Sequence, residues 1–361
     1  MASRQEATLT TGRGAAGVGW PRARRPFVLA LAGLVALGVV AMLAIALGSV
    51  TVPPGDTLGI LVSRLLPLDI ARTWSPTAET IVWDLRLPRV LEAGTVGLGL
   101  AIAGATFQGL LRNPLADPYV LGTASGAALG AAIAVLIPIR IEILAFGLLQ
   151  VLAFLGALGA VTLVYRLSRT TGGSPLTSLL LTGYALGSLM AAALAMAMYL
   201  SGAALRQIFA YLLGSFDNAS WGELGGAVPL IGIATALILV RARSLNGLLL
   251  GDEAAAHLGV YVRRERAILL ALAALITAAA VSVSGLVGFV GLVVPHVVRL
   301  LVGPNARLVL PLSAVGGAIL MIGADLVARL LGELPVGVIT AVIGAPFFLL
   351  LLRRAQRGYE V

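Results

Sequence analysis

Side chains able to do chemistry are scarce in this chain, since only 11% of its 361 residues are charged, and they gather in a few places. Asp252 and Glu253 stand together inside an arginine-dense stretch, residues 241–266 (RARSLNGLLLGDEAAAHLGVYVRRER). Asp325 lies in an apolar run, where a buried ionisable group is a functional candidate by default. Arg329 one turn later offers it an i,i+4 partner, so a structural ion pair is an equal reading. His296 and Arg299 share the motif PHVVR, Glu92 lies one turn from Arg89, and Gln108 either faces a path or bridges helices. All 25 basic side chains are arginine, so neither a Walker A phosphate loop nor Schiff-base chemistry can be built. There is no cysteine and the two histidines are scattered, which leaves no thiolate or histidine metal site. HExxH is absent and no Ser–His or Asp–Asp arrangement stands out, so no catalytic residue is assigned.

Within 241–266 a short helix is predicted. Gly251 is its cap, and Asp252 and Glu253 fill the first turn, where the helix dipole favours anions. Ala254 and Ala255 continue it, His257 and Leu258 close it, and Gly259 supplies the left-handed stop. About two turns of helix are not stable alone in water, so a partner must hold this one.

The elements that must position these groups are apolar helices. Mean hydropathy is +1.01 and 59% of residues are hydrophobic, where a soluble domain would carry about a quarter charged residues. Uncharged windows of about 18 residues or more recur, the length that crosses the hydrocarbon as a helix. The expected fold class is therefore all-α, a polytopic membrane protein of about ten transmembrane helices. The spans are placed at 27–50, 86–111, 119–137, 141–164, 176–200, 222–240, 267–284, 285–301, 308–331 and 335–352, with an interfacial helix at 205–216. Small residues recur every fourth position in the second span (Ala93, Gly97, Ala101, Ala105, Gly109) and in the third (Gly122, Gly126, Gly130, Ala134). Such ladders let helix backbones approach closely.

Ten spans place both termini on one side. Counted that way, roughly 18 arginines fall inside and about 7 outside, as the positive-inside rule requires. The organisation expected is a disordered basic cytoplasmic tail at 1–26, one ten-helix membrane domain at 27–352 whose cytoplasmic loop is about 241–266, and a cytoplasmic tail at 353–361. The excess of +9 is thus a topology signal and not a nucleic-acid signal.

Four blocks carry a resemblance: RLPRVLEAGTVGLGLAIAGATFQGLLRNPLADPYVLGTASGAALGA (86–131), LLLGDEAAAHLGV (248–260), GLVGFVGLVVPHVVRLLVG (285–303) and ELPVGVITAVIGAPFFLLLL (333–352). In this order they resemble the permease family for iron–siderophore complexes, haem and vitamin B12, across nearly the whole chain from about residue 30. The resemblance implies a type II ABC importer permease fold in the cell (inner) membrane. It also implies pairing with a second copy or a close relative, two ATP-binding subunits below, and a substrate-binding protein above. ATP and magnesium would then belong to the partner ATPase, with no cofactor on this chain. By the same resemblance Gly251, Asp252, Glu253, Ala254, Ala255, His257, Leu258 and Gly259 form the coupling element lodged in the ATPase. Arg86, Arg89 and Arg329 dock the binding protein. Asn113 and Leu115, with Pro175, Leu176 and Thr177, close the path at its cytoplasmic end. The rival reading is an ion-coupled secondary transporter, for which Asp325 is the one qualifying membrane carboxylate.

Overall fold

The computed structural model describes residues 25–66, 71–137, 139, 142–143, 146–168 and 175–357. The expected cytoplasmic tail lies outside the described residues apart from its last two positions. Fifteen α-helices follow in chain order: α1 (Arg25–Ala46), α2 (Pro54–Leu65), α3 (Pro76–Thr80), α4 (Leu87–Leu110), α5 (Thr123–Leu136), α6 (Leu148–Ser168), α7 (Pro175–Leu200), α8 (Leu205–Leu213), α9 (Trp221–Val240), α10 (Ala242–Leu249), α11 (Asp252–His257), α12 (Val262–Ser284), α13 (Val290–Val302), α14 (Ala306–Leu330) and α15 (Val336–Arg357). A wide turn, Ile81–Arg86, fuses α3 to α4.

Each expected span coincides with a helix, and among the described residues seven helical stretches are long and apolar enough to cross a membrane. The third and eighth spans are shorter than expected. Helices α5 and α13 have 14 and 13 residues, about 20 Å each at 1.5 Å per residue, where the hydrocarbon needs about 30 Å. Non-helical backbone precedes both. Gly285 and Gly288, expected on the eighth helix, fall in the irregular segment 285–289, which ends at Phe289 with φ +69°. Irregular backbone at membrane depth is tolerated only where protein buries it and satisfies its polar groups. Here the two breaks serve each other. The Tyr119 hydroxyl donates to the Val287 carbonyl at 2.9 Å and accepts from the Val287 N–H at 3.2 Å.

Other boundaries also move, and the fourth span's helix begins only at Leu148, after Glu142–Ile143 pairs with Phe146–Gly147 in a short antiparallel turn. Helix α12 starts at Val262, so Arg263, Arg264 and Arg266 ride on its first turns and not in a loop. Helix α15 runs to Arg357, past the predicted end at 352.

Helix α4 is the axis of the packing, buried along nearly all of its length against α9, α12, α13 and α14. Its small-residue ladder explains this. A Cβ added at Gly97 would overlap the Gly317 carbonyl of α14, and one at Gly317 would overlap the Gly97 carbonyl. Only two glycines let these backbones touch. The second ladder does the same for α5 and α6 through Gly126 and Gly156.

Candidate functional site

The arginine-dense stretch folds as two short helices, α10 and α11. Gly251 lies between them at φ +116°, and Gly259 ends α11 at φ +79°, donating its N–H to the Ala256 carbonyl at 2.9 Å. Residues of this kind are the ones able to hold such angles cheaply. Leu245 and Leu248 anchor α10 in the core, Ala255 anchors α11, and the Val260 N–H closes back on the Ala255 carbonyl at 3.0 Å. Asn246 pins the pair to the start of α14. Its amide donates to the Asn305 side chain at 2.8 Å and its oxygen accepts from the Ala306 N–H at 2.7 Å. Intramolecular packing therefore supplies part of the support that two turns of helix require.

Asp252 is the joint of this region. It accepts from Arg266 of α12 at 2.7 Å and from Arg112, the residue that opens the break after α4. Arg112 also donates through Nε to the Leu248 carbonyl at 2.9 Å, and its backbone sits at φ +49°. Partial burial alone would push the Asp252 carboxyl up. The hydrogen bonds and charges of Arg266 and Arg112 outweigh it and hold the carboxyl below the ordinary carboxylate range.

The outward face of the pair is apolar at its centre. Leu250, Leu258 and Tyr261 are 68%, 64% and 79% exposed, and Glu253, His257, Arg263 and Arg264 of the same stretch are exposed as well. A groove of about 550 Å³ runs between Leu250, Tyr261, Asn246 and Arg307. A large apolar cluster rimmed by charge is the signature of a protein contact.

Arg112 leads directly into the expected gate. Asn113 is exposed and Leu115 half-buried, and the Asn113 side chain accepts from the Leu115 N–H at 2.9 Å, which makes the break a tight turn. Asp117 then accepts from the Tyr119 N–H at 2.8 Å. Pro175, Leu176 and Thr177 form the first turn of α7, with Thr177 exposed. Two turns further, Gly183 lies against the Val120 backbone, so α7 and the break after α4 share a wall.

At the opposite end the expected docking arginines are turned inward. Arg86, 6% exposed, donates to the carbonyls of Ile45 and Ala46 at 2.9 Å each and to that of Val50. Arg329 donates to the Ala44 carbonyl at 2.8 Å and to Asp325 at 3.1 Å. Together they cap the open carbonyl end of α1, where cations are favoured. Arg89 grips Asp325 bidentately at 2.9–3.1 Å and reaches Asp217 at 2.8 Å. Asp325 is 1% exposed and held by two arginines. That is a structural triad, and it leaves the Asp325 carboxylate itself unfree to act as a relay. Arg89 spends its donors there, and Glu92, which was within its reach, keeps both oxygens without a hydrogen-bond partner.

Two further polar groups of the spans make contact between helices. Gln108 donates to the Gly291 and Leu292 carbonyls of α13 at 3.1 and 3.3 Å. His296 meets the Phe347 ring edge-on at 5.9 Å. Among the described residues no group of three metal-binding side chains forms.

The model of the FecCD transport family matches residues 35–354. The chain belongs to the FecCD transport family. Among its relatives is the cobalamin import system permease protein BtuC of Halobacterium salinarum, 45% identical over 278 residues, covering 77% of this chain and 74% of that one. The hemin transport system permease protein HmuU of Yersinia pestis is 43% identical over 300 residues, covering 81% and 90%. A solved ABC transporter of metal-chelate type, in an inward-facing conformation, superposes with a TM-score of 0.78 at 30% identity, covering 91% of this chain and 99% of that one. The chain is thus a multi-pass membrane permease of an ABC importer, with the permease fold of its solved relative.

The sequence missed three features of the site. The Arg112–Asp252 bond joins residues 140 apart, and no local pattern announces it. Asn246 and Asn305 carried no signal beyond their being asparagines near helix ends. Leu250 and Tyr261 read as ordinary apolar positions until both emerged on the surface.

Proposed function

We propose that this permease imports a metal–chelate complex, an iron–siderophore, haem or a corrinoid, by alternating access driven by two separate ATP-binding subunits. The loop end bearing α10 and α11 faces the cytoplasm, with both termini, and the end bearing Arg86, Arg89 and Arg329 faces outward. A substrate-binding protein delivers cargo there, and a second permease subunit, most simply another copy, completes the path. Cargo class is supported by the relatives that handle cobalamin and hemin.

The observation that carries the reading is the face of α10–α11. Its exposed Leu250, Leu258 and Tyr261 are the contact an ATPase would cover, with Glu253 and His257 at the rim and Gly251, Ala254, Ala255 and Gly259 shaping the pair. Asp252 faces the other way, to Arg112 and thence to Asn113 and Leu115. Motion imposed on α11 therefore has a short mechanical route to the cytoplasmic gate, whose other side is Pro175, Leu176 and Thr177. At the outer end Arg89 is the arginine best placed to meet a carboxylate on the binding protein, since its partner Asp217 is itself exposed. Arg86 and Arg329 would act by fixing the helix ends around it. This chain contributes no catalytic group, and ATP with magnesium sits on the partner.

The test is import by the complete complex in proteoliposomes, loaded in turn with haem, cyanocobalamin and a ferric siderophore, each with its binding protein. ATP-dependent accumulation of one of the three, untouched by a protonophore, is the expected result. Accumulation that follows an ion gradient without ATP would overturn it.

A further inference from the structure

A cavity of about 200 Å³ opens at the loop end, between the inner turns of α4, α10, α13 and α14. Its walls are mostly apolar, with Ala105, Leu245, Leu249, Val309 and Leu310 among them, and two cations, Arg112 and Arg299, stand at it. Arg112 has its Nε and one terminal nitrogen committed to the Leu248 carbonyl and Asp252, and its other terminal nitrogen makes no hydrogen bond among the described residues. Arg299 is half-buried and has neither an ion pair nor a hydrogen-bond partner among the described residues. A guanidinium set against apolar walls without a counter-ion is costly, because it has lost water and gained nothing. The third polar group is Gln108, 3% exposed, whose Nε2 is spent on α13 while its buried Oε1 has no donor. The site thus offers one guanidinium fork, Arg299, and one free terminal nitrogen of Arg112 for an anion, one acceptor for a hydroxyl or ammonium, and an apolar floor.

We propose that this cavity binds the phosphate headgroup of an inner-leaflet phospholipid, with the phosphate between Arg299 and Arg112. Phosphate fits because a guanidinium presents paired donors to two oxygens at once. The lipid, rather than free phosphate, is favoured by the walls and by the position. The cavity lies at the inner ends of the membrane helices, and on α13 the neighbouring Val297, Leu300 and Leu301 are exposed as an acyl chain would require. Basic pockets between helix ends on the cytoplasmic side are where anionic headgroups settle. The headgroup hydroxyl or ammonium then donates to Gln108 Oε1. Because Arg112 also holds Asp252, the lipid and the coupling helix share one guanidinium, and occupancy of the cavity bears on how firmly α11 is tied to the gate. The placement rests on the membrane orientation given above and is independent of the cargo.

The experiment uses the complete, delipidated transporter and native mass spectrometry, titrated with phosphatidylglycerol, with phosphatidylcholine and with inorganic phosphate. Wild type is expected to retain phosphatidylglycerol. Arg299→Gln should weaken that binding about tenfold, the usual loss for one charge-assisted contact, and Arg299→Lys should recover part of it. Thermal unfolding of each variant separates loss of the site from loss of the fold, and the Lys variant carries the test if the Gln variant is unstable. Equal phosphatidylglycerol retention by wild type and a folded Arg299→Gln would overturn the assignment. Displacement of the lipid by millimolar phosphate, or retention of all lipids alike, would overturn the choice of ligand. Failure of import in the cargo assay would leave these results unchanged, so the two readings fail separately.

Discussion

Replacing Asp252 with Asn should loosen the tie between α11 and the break after α4 without unfolding the protein. The substitution keeps size and removes the charge that Arg112 and Arg266 share. The side chains are 52%, 37% and 21% exposed respectively, so solvent screens both pairs and each is worth about 0.2–1 kcal/mol. Loss of both amounts to roughly 1 kcal/mol, about a fivefold shift between a tied and an untied α11. The assay is ATP hydrolysed per cargo molecule imported by the reconstituted complex, for Asp252→Asn, Arg112→Gln and the double variant. If the pair transmits motion as one unit, each single variant raises that ratio about two- to fivefold, and the double is no worse than the larger single. Independent, multiplying effects would refute the reasoning, and so would an unchanged ratio in all three. The sign of the pH dependence follows from the same contacts. The folded Asp252 carboxyl is held below its ordinary value near 3.8, so its contribution is complete above that value and is lost as pH falls through the lower folded value. The ratio for wild type should therefore be flat with respect to this group from about pH 6 to 8.

Three further outcomes are expected. Gly317→Ala drives a methyl into the Gly97 carbonyl and should cost about 1–3 kcal/mol as overpacking, read as a fall of several degrees in the thermal midpoint; no change would mean that α4 and α14 are not in contact. Arg86→Gln removes the cap from the end of α1 and should destabilise by about 2–3 kcal/mol. Capture of the binding protein by folded Arg86→Gln should fall equally at low and high salt if the role is internal, whereas a loss confined to low salt would point to direct docking. Paired Leu258→Ser and Tyr261→Ser should weaken retention of the ATPase at least tenfold, since each side chain forfeits about 1.5 kcal/mol or more of burial; undiminished retention would remove this face from the contact.

The spans, their order and the short helix at Asp252–His257 were legible because each rests on a local pattern: uncharged length, a four-residue ladder, a glycine after two turns. The breaks were less so. Residues 285–289 are as apolar as the helix that follows, and hydropathy has no term for the Tyr119 hydroxyl that holds Val287. Arg86, Arg89 and Arg329 were visible as arginines at helix ends, yet an arginine at an end reads alike whether it faces a partner or caps a neighbour. Their actual ligands, Ala44, Ile45, Ala46 and Asp325, come from other helices and are set by packing. Asp325 illustrates the converse. Its i,i+4 arginine was readable, while Arg89, 236 residues away, was not.

The absence of cysteine gives the central claim a clean test. Leu258→Cys, labelled with a benzophenone maleimide in the assembled transporter, should cross-link to the ATP-binding subunit on illumination. Val50→Cys, exposed at the other end of the molecule, should not. A product from position 258 alone is the predicted result; no product from 258, or one of equal yield from 50, would contradict the assignment of α10 and α11 as the joint between permease and ATPase.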